Sequence, residues 1–249
     1  MSRLGKMLLG LSLVANIGVI YVAYKAIEYR GHINFFLDKY TNVVKEFSNR
    51  DVWEKANSEI GPPRPNRPRV VFLGTQVTSR WNLAESFPEY EIVNRAVPHQ
   101  RLSGFLLRFR PDVVELRPWA VVIEISSYNL RPESSIRELT DYITMLADLA
   151  RSNGIHPVLS TAVPPRDGNT GLGDYDLHDS LKVYNSWIRK FADSANLPLA
   201  DFDTALAETD GFMADSLSYE MIDPNLAGMS RMSAVVSEAL SKIGLGIVR

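Results

Sequence analysis

The distribution of apolar positions changes character twice along the chain. Residues 7–24 carry no charged side chain. As a helix rising ~1.5 Å per residue, those 18 residues cover ~27 Å, close to the hydrocarbon thickness of a bilayer. The run is apolar on every face, which argues against a helix buried in a soluble core. Arg3 and Lys6 precede it, while Lys25, Glu28 and Arg30 follow. That bias favours a cytoplasmic amino terminus and an extracytoplasmic, periplasmic location for the rest. The expectation is an uncleaved, single-pass signal anchor over residues 1–24, meeting the membrane through 7–24. A cleaved signal peptide competes with it, but Ala23 and Ala26 have the wrong spacing for a small-x-small cleavage site.

From Tyr29 the rhythm becomes three-four: Tyr29, Ile33, Phe36, Leu37, Tyr40, Val43, Val44 and Phe47 form one apolar stripe on a helix. Residues 25–60 therefore read as an amphipathic stalk. It either rests on its own domain or the membrane surface, or holds a protein partner through Tyr29, Ile33, Phe36, Leu37, Tyr40 and Phe47. Gly61-Pro-Pro-Arg-Pro-Asn-Arg-Pro68 reads as a stiff proline-rich linker, 61–68, so the globular domain is expected over 69–249.

Beyond Arg69, short apolar runs alternate with longer amphipathic ones. Strands are predicted at 69–73, 91–94, 119–125, 156–161 and 198–202, and helices at 77–86, 101–110, 133–153, 177–195 and 225–243. This alternation implies an α/β/α three-layer sandwich around a mostly parallel five-stranded sheet. Ligands in such folds sit beyond the carboxyl ends of the strands, which the glycine-rich loop 164–174 would overhang.

Composition narrows the chemistry. With 45% hydrophobic and 22% charged residues the chain is globular, and a net charge of −2 gives no electrostatic reason to expect nucleic acid. The absence of cysteine removes disulfides, thiolate metal sites and thiol catalysis. No cofactor is expected.

The first strand, Val70 to Leu73, ends at Gly74, and the residues that follow can open a helix. α/β enzymes present a nucleophile at such a turn, against the free N–H groups of a helix start. The residues here are Thr75 and Gln76, and an amide is not a nucleophile that a base can activate.

In this arrangement the chain resembles the SGNH, or GDSL-type, hydrolase superfamily from about Arg69 to its carboxyl terminus, which implies a flavodoxin-like sandwich. Val71-Phe-Leu-Gly-Thr-Gln76 matches the family's strand and glycine, but Thr75 and Gln76 stand at the places of the aspartate and the nucleophilic serine. Asn94-Arg-Ala-Val-Pro-His-Gln100 matches the second block with His99 at the oxyanion glycine. Leu106-Leu-Arg-Phe and Asp112 to Pro118 look like the next helix and the approach to the third strand. Ser126-Ser-Tyr-Asn129 puts Tyr128 at the oxyanion asparagine, unless a one-residue shift lets Asn129 serve. Glu220-Met-Ile-Asp-Pro-Asn225 puts Glu220 at the orienting aspartate and Asp223 at the catalytic histidine. Framework matches at Gly74, Asn94, Arg95, Pro118, Asn185, Trp187, Pro224, Asn225 and Gly228 carry the resemblance.

Ester hydrolysis by this route needs a hydroxyl, a base and donors for the oxyanion, so the resemblance implies a hydrolase fold without the family's chemistry. The expected role is binding, as an accessory subunit of a membrane complex, through the stalk or the altered cleft. The alternative is an esterase or acyltransferase for envelope polysaccharide or lipid with displaced residues, Ser126 or Ser127 approaching His99. A third reading takes His99, Glu220 and Asp223 as metal ligands, but Asp223 is more simply the N-cap of the last helix with Pro224 at its first position. Glu124, in an apolar strand, is expected to pair with Arg95 or Arg108, and the Thr78 and Ser79 hydroxyls to point away from the cleft. Trp81, Gln100, Asn129 and Tyr219 are candidate ligand contacts, and Trp81, Tyr128 and Tyr219 are suited to stacking on a carbohydrate or another flat ligand.

Overall fold

The computed structural model describes residues 2–46, 49–130, 135–167, 176–220 and 222–244. It divides into two compact units, 1–47 and 48–249.

The first unit is one helix, α1 (Arg3–Glu46). Its segment Arg3–Leu37 is long and apolar enough to cross a membrane, a property that signal sequences share, and none of its most apolar window is buried. Of the stripe beyond the apolar run, Tyr29, Ile33, Phe36, Leu37 and Tyr40 are exposed; Phe47 lies outside the described residues.

The second unit begins earlier than the apolar pattern suggests. α2 (Glu54–Glu59), assigned above to the stalk, belongs to it. The Asn57 amide donates to Asp112 at 2.6 Å and accepts from Arg95 Nε at 2.8 Å, and the Arg95 guanidinium lies over the Trp53 ring. The proline-rich residues 61–68 are also fastened to it. Arg69 donates to the Gly61 carbonyl and to Glu91, and Arg67 to the Pro88 carbonyl.

The sheet comprises β1 (Arg69–Leu73), β2 (Glu91–Asn94), β3 (Ala120–Ile123), β4 (His156–Ser160) and β5 (Leu199–Ala200), all parallel, in the order β2-β1-β3-β4-β5. Every residue of β1 and β3 is buried, as expected of strands covered on both faces. Val71 and Leu73 face α5 (Leu102–Asp112), α6 (Ile136–Ser152) and α7 (Leu177–Ser194), packing with Phe105, Ile143 and Leu181. Val70 and Phe72 face the opposite layer of α3 (Gln76–Arg80), α4 (Leu83–Ser86), α8 (Phe202–Leu206) and α9 (Leu226–Ser241), packing with Val77, Leu83, Phe202 and Val236. The α/β/α sandwich predicted from the alternation is thus the fold observed. β6 (Ser218–Glu220) and β7 (Asp223–Pro224) form a small antiparallel pair before α9.

The single helix expected at 77–86 is two short ones. Trp81 leaves helical geometry at ψ 128° and turns into the core, 5% exposed, against Phe72, Phe87 and Phe202. It therefore packs the interior and does not line the cleft.

Candidate active site

Strand order reverses between β1 and β3, the point at which parallel sheets of this kind open a crevice beyond the strand ends. Gly74-Thr75-Gln76 leaves β1 there, and Glu124 to Ser127 leaves β3 beside it.

The turn after β1 is locked from below. Glu124 is fully buried, and its carboxylate accepts from the Thr75 N–H at 2.7 Å, the Thr75 hydroxyl at 3.1 Å and the Thr78 hydroxyl at 3.0 Å. Its partners are therefore threonines and not the arginines expected, and the Thr78 hydroxyl points inward to it. Burial pushes the Glu124 carboxyl above its ordinary value, and the Thr75 and Thr78 hydrogen bonds oppose that. A Cβ at Gly74 would collide with the Thr78 hydroxyl and the Glu124 carboxylate, so only glycine fits.

Above this lock lies Gln76, the first residue of α3. With its amide oxygen turned to Arg80, one helical turn on, it accepts from Nη2 at 2.7 Å and Nε at 3.0 Å. Arg80 Nη1 in turn donates to Asp223 Oδ2 at 2.5 Å. Gln76 and Asp223 are thus joined by an amide–guanidinium–carboxylate chain. Arg80 was not singled out from sequence; its position four residues after Gln76 was the available signal.

Asp223 sits in β7 and does not cap α9. Asn225 does, its Oδ1 accepting from the Ala227 and Gly228 N–H groups. The Asp223 Oδ1 is buried without a hydrogen-bond partner. Burial raises the Asp223 carboxyl above its usual range, opposed chiefly by the Arg80 guanidinium, while Glu220 adds to the rise. His99, exposed in the loop after β2, holds a left-handed backbone with φ 59°. That is the conformation glycine adopts freely.

Two candidate ligand contacts serve the loops instead. Gln100, 4% exposed, accepts from buried Arg108 Nε at 2.6 Å. Asn129, 2% exposed, accepts from the Leu102 N–H and donates to the Gln100 carbonyl. Ser126 and Ser127 are buried, and Tyr128 lies in the short helical turn Ser127–Asn129. Among the described residues no cluster of three or more His, Asp and Glu side chains is placed to hold a metal ion.

Beside Asp223 an open groove of about 890 Å³ is lined by Val77, Arg80, Tyr219, Glu220, Leu226 and Met229, among others. Tyr219 and Leu226 stand out from its rim, 69% and 86% exposed. The groove pairs an apolar wall with the Arg80–Asp223 ion pair, an arrangement suited to an amphiphilic ligand.

Among solved structures the chain is similar to a protein from Bacteroides fragilis described as an acylhydrolase, at 22% identity and a TM-score of 0.72 over 80% of this chain and 98% of that one. A GDSL-like lipase from Bacteroides thetaiotaomicron gives 23% identity and a TM-score of 0.73 over 79% and 99%. An acetylxylan esterase from Geobacillus stearothermophilus, in a catalytic mutant form, gives 16% and 0.57 over 77% and 99%. No curated protein matches the sequence significantly. The profile of the GDSL-like Lipase/Acylhydrolase family matches residues 64–231, two-thirds of the chain, and the chain belongs to that family.

Proposed function

We propose that this protein is a membrane-anchored member of the family that binds through the former catalytic groove without hydrolysing what it holds. In this reading its amino terminus is cytoplasmic, its globular unit lies on the outer side, and it acts as an accessory subunit of a membrane complex. The observation that carries it is the Gln76–Arg80–Asp223 chain. A carboxamide offers no nucleophile, and a carboxylate paired with a guanidinium is a weak base for activating one. The groove suits a carbohydrate bearing an acyl group, stacked on Tyr219 with its hydroxyls toward Asp223.

The test is incubation of the purified chain with a serine-directed fluorophosphonate and with p-nitrophenyl acetate and butyrate. No label and no turnover above buffer are expected. Turnover lost in Ser126→Ala or Ser127→Ala would replace this reading with a displaced serine enzyme. Binding of acetylated xylo-oligosaccharides is expected to weaken about fivefold in Tyr219→Ala, for a stacking contact worth ~1 kcal/mol.

A further inference from the structure

α1 runs unbroken from Arg3 to Glu46, so the apolar run and the aromatic stripe share one helical register. Leu9, Ser12, Asn16, Val19 and Ala23 follow each other in alternating steps of three and four. The same alternation passes through Ala26 and Arg30 to Ile33, Leu37 and Tyr40. These residues line one face of the helix, the seam that a parallel second helix would meet.

Asn16 stands on that seam in the middle of the apolar run. Its Nδ2 donates to the Ser12 carbonyl at 2.8 Å and to the Ser12 hydroxyl at 3.4 Å, while its Oδ1 has no partner among the described residues. Hydrocarbon offers no donor, and a lone amide acceptor there is costly. A second copy of the chain inserts with the same topology and lies parallel, so a two-fold axis sets identical positions opposite each other. Asn16 then meets Asn16. A carboxamide complements itself, each exchanging its long 3.4 Å bond to the Ser12 hydroxyl for donation to the other's Oδ1. Ser12 and Ala23 are small enough to let the backbones approach, and Ile33, Leu37 and Tyr40, each more than half exposed in the single chain, are covered where the seam continues.

We propose that α1 is a homodimerisation element whose occupant is a second copy of this chain, held in register by an Asn16–Asn16 hydrogen-bonded pair within the bilayer. This rests on the membrane-anchored reading.

The experiment uses the full chain, labelled separately with donor and acceptor fluorophores and reconstituted in phosphatidylethanolamine–phosphatidylglycerol vesicles. Energy transfer is expected to fall on dilution in lipid and on addition of unlabelled chain. Asn16→Leu is expected to weaken association about three- to thirtyfold, in line with an interhelical hydrogen bond in lipid. Asn16→Gln should retain it, and Leu11→Ala on the opposite face should leave it unchanged. Full membrane retention with no transfer at any density overturns the dimer alone, and equal association of Asn16→Leu overturns the Asn16 pair. Release of the chain by alkaline carbonate overturns the anchor itself, and the dimer with it.

Discussion

His99 shows how closely backbone and side chain can part company in this protein. Its backbone is left-handed although the residue is not glycine. A non-glycine residue there costs ~1–2 kcal/mol, partly offset by glycine's greater freedom in the unfolded chain. His99→Gly is therefore expected to raise stability by about 0.5–1 kcal/mol, read from urea unfolding. Glu124 gives a second expectation at this scale. Its carboxyl is raised in the fold from an ordinary value of 4.5, so the folded state holds the proton more tightly than the unfolded one. Its contribution is greatest below pH ~4.5 and is lost as pH rises through the raised value. Glu124→Gln keeps an acceptor for the Thr75 and Thr78 donors without a charge. The variant should flatten that part of the pH–stability curve, whereas Glu124→Ala should cost about 3 kcal/mol. The framework asparagines were legible from sequence because each satisfies nearby backbone: Asn94 bonds the Ala96 N–H, Asn185 the Ala162 backbone, and Asn225 the first turn of α9. Glu124's partners were not, since a buried carboxylate invites an arginine and nothing in the chain announces that two threonines from another strand's turn meet it.

Among the elements, the buried strands read well because a valine-rich apolar run too short for a helix fits a strand covered on both faces. Two elements did not. The helix after β1 breaks at Trp81 because burying the indole with Phe87 and Phe202 wins over one more helical turn, a tertiary preference invisible to local pattern. α2 carries no apolar periodicity, and it is held by Asn57 to Asp112 and Arg95. This sets two truncations apart. A chain beginning at Asn49 should fold with an unchanged Tm and remain a monomer on sizing. One beginning at Pro62 loses Asn57 and the Gly61 carbonyl, leaving buried Asp112, Arg95 and Arg69 short of partners. It should be less stable by about 2–4 kcal/mol, measured by denaturant unfolding.

For the whole molecule, the sequence carried the fold further than the site. The sandwich follows from alternation, and the block-by-block resemblance agrees with a family match over 64–231. The groove depends on how β6, β7 and α3 come together from distant parts of the chain, and the Arg80–Asp223 bond that spans it joins residues 143 positions apart. Under the proposed non-hydrolytic reading, no single substitution at this corner is expected to confer hydrolysis. Gln76→Ser leaves Arg80 on Asp223 and supplies no imidazole at position 223, and is expected to give neither a fluorophosphonate adduct nor a burst of p-nitrophenol.

The guanidinium clamp has a practical corollary. An enzyme of this architecture destroys the ester it receives, so soaking a crystal with a native compound yields a snapshot of the products. Under the proposed reading, a cleft bridged by Arg80 and Asp223 would keep the whole molecule, and crystals of this chain soaked with an intact ester would show it uncut.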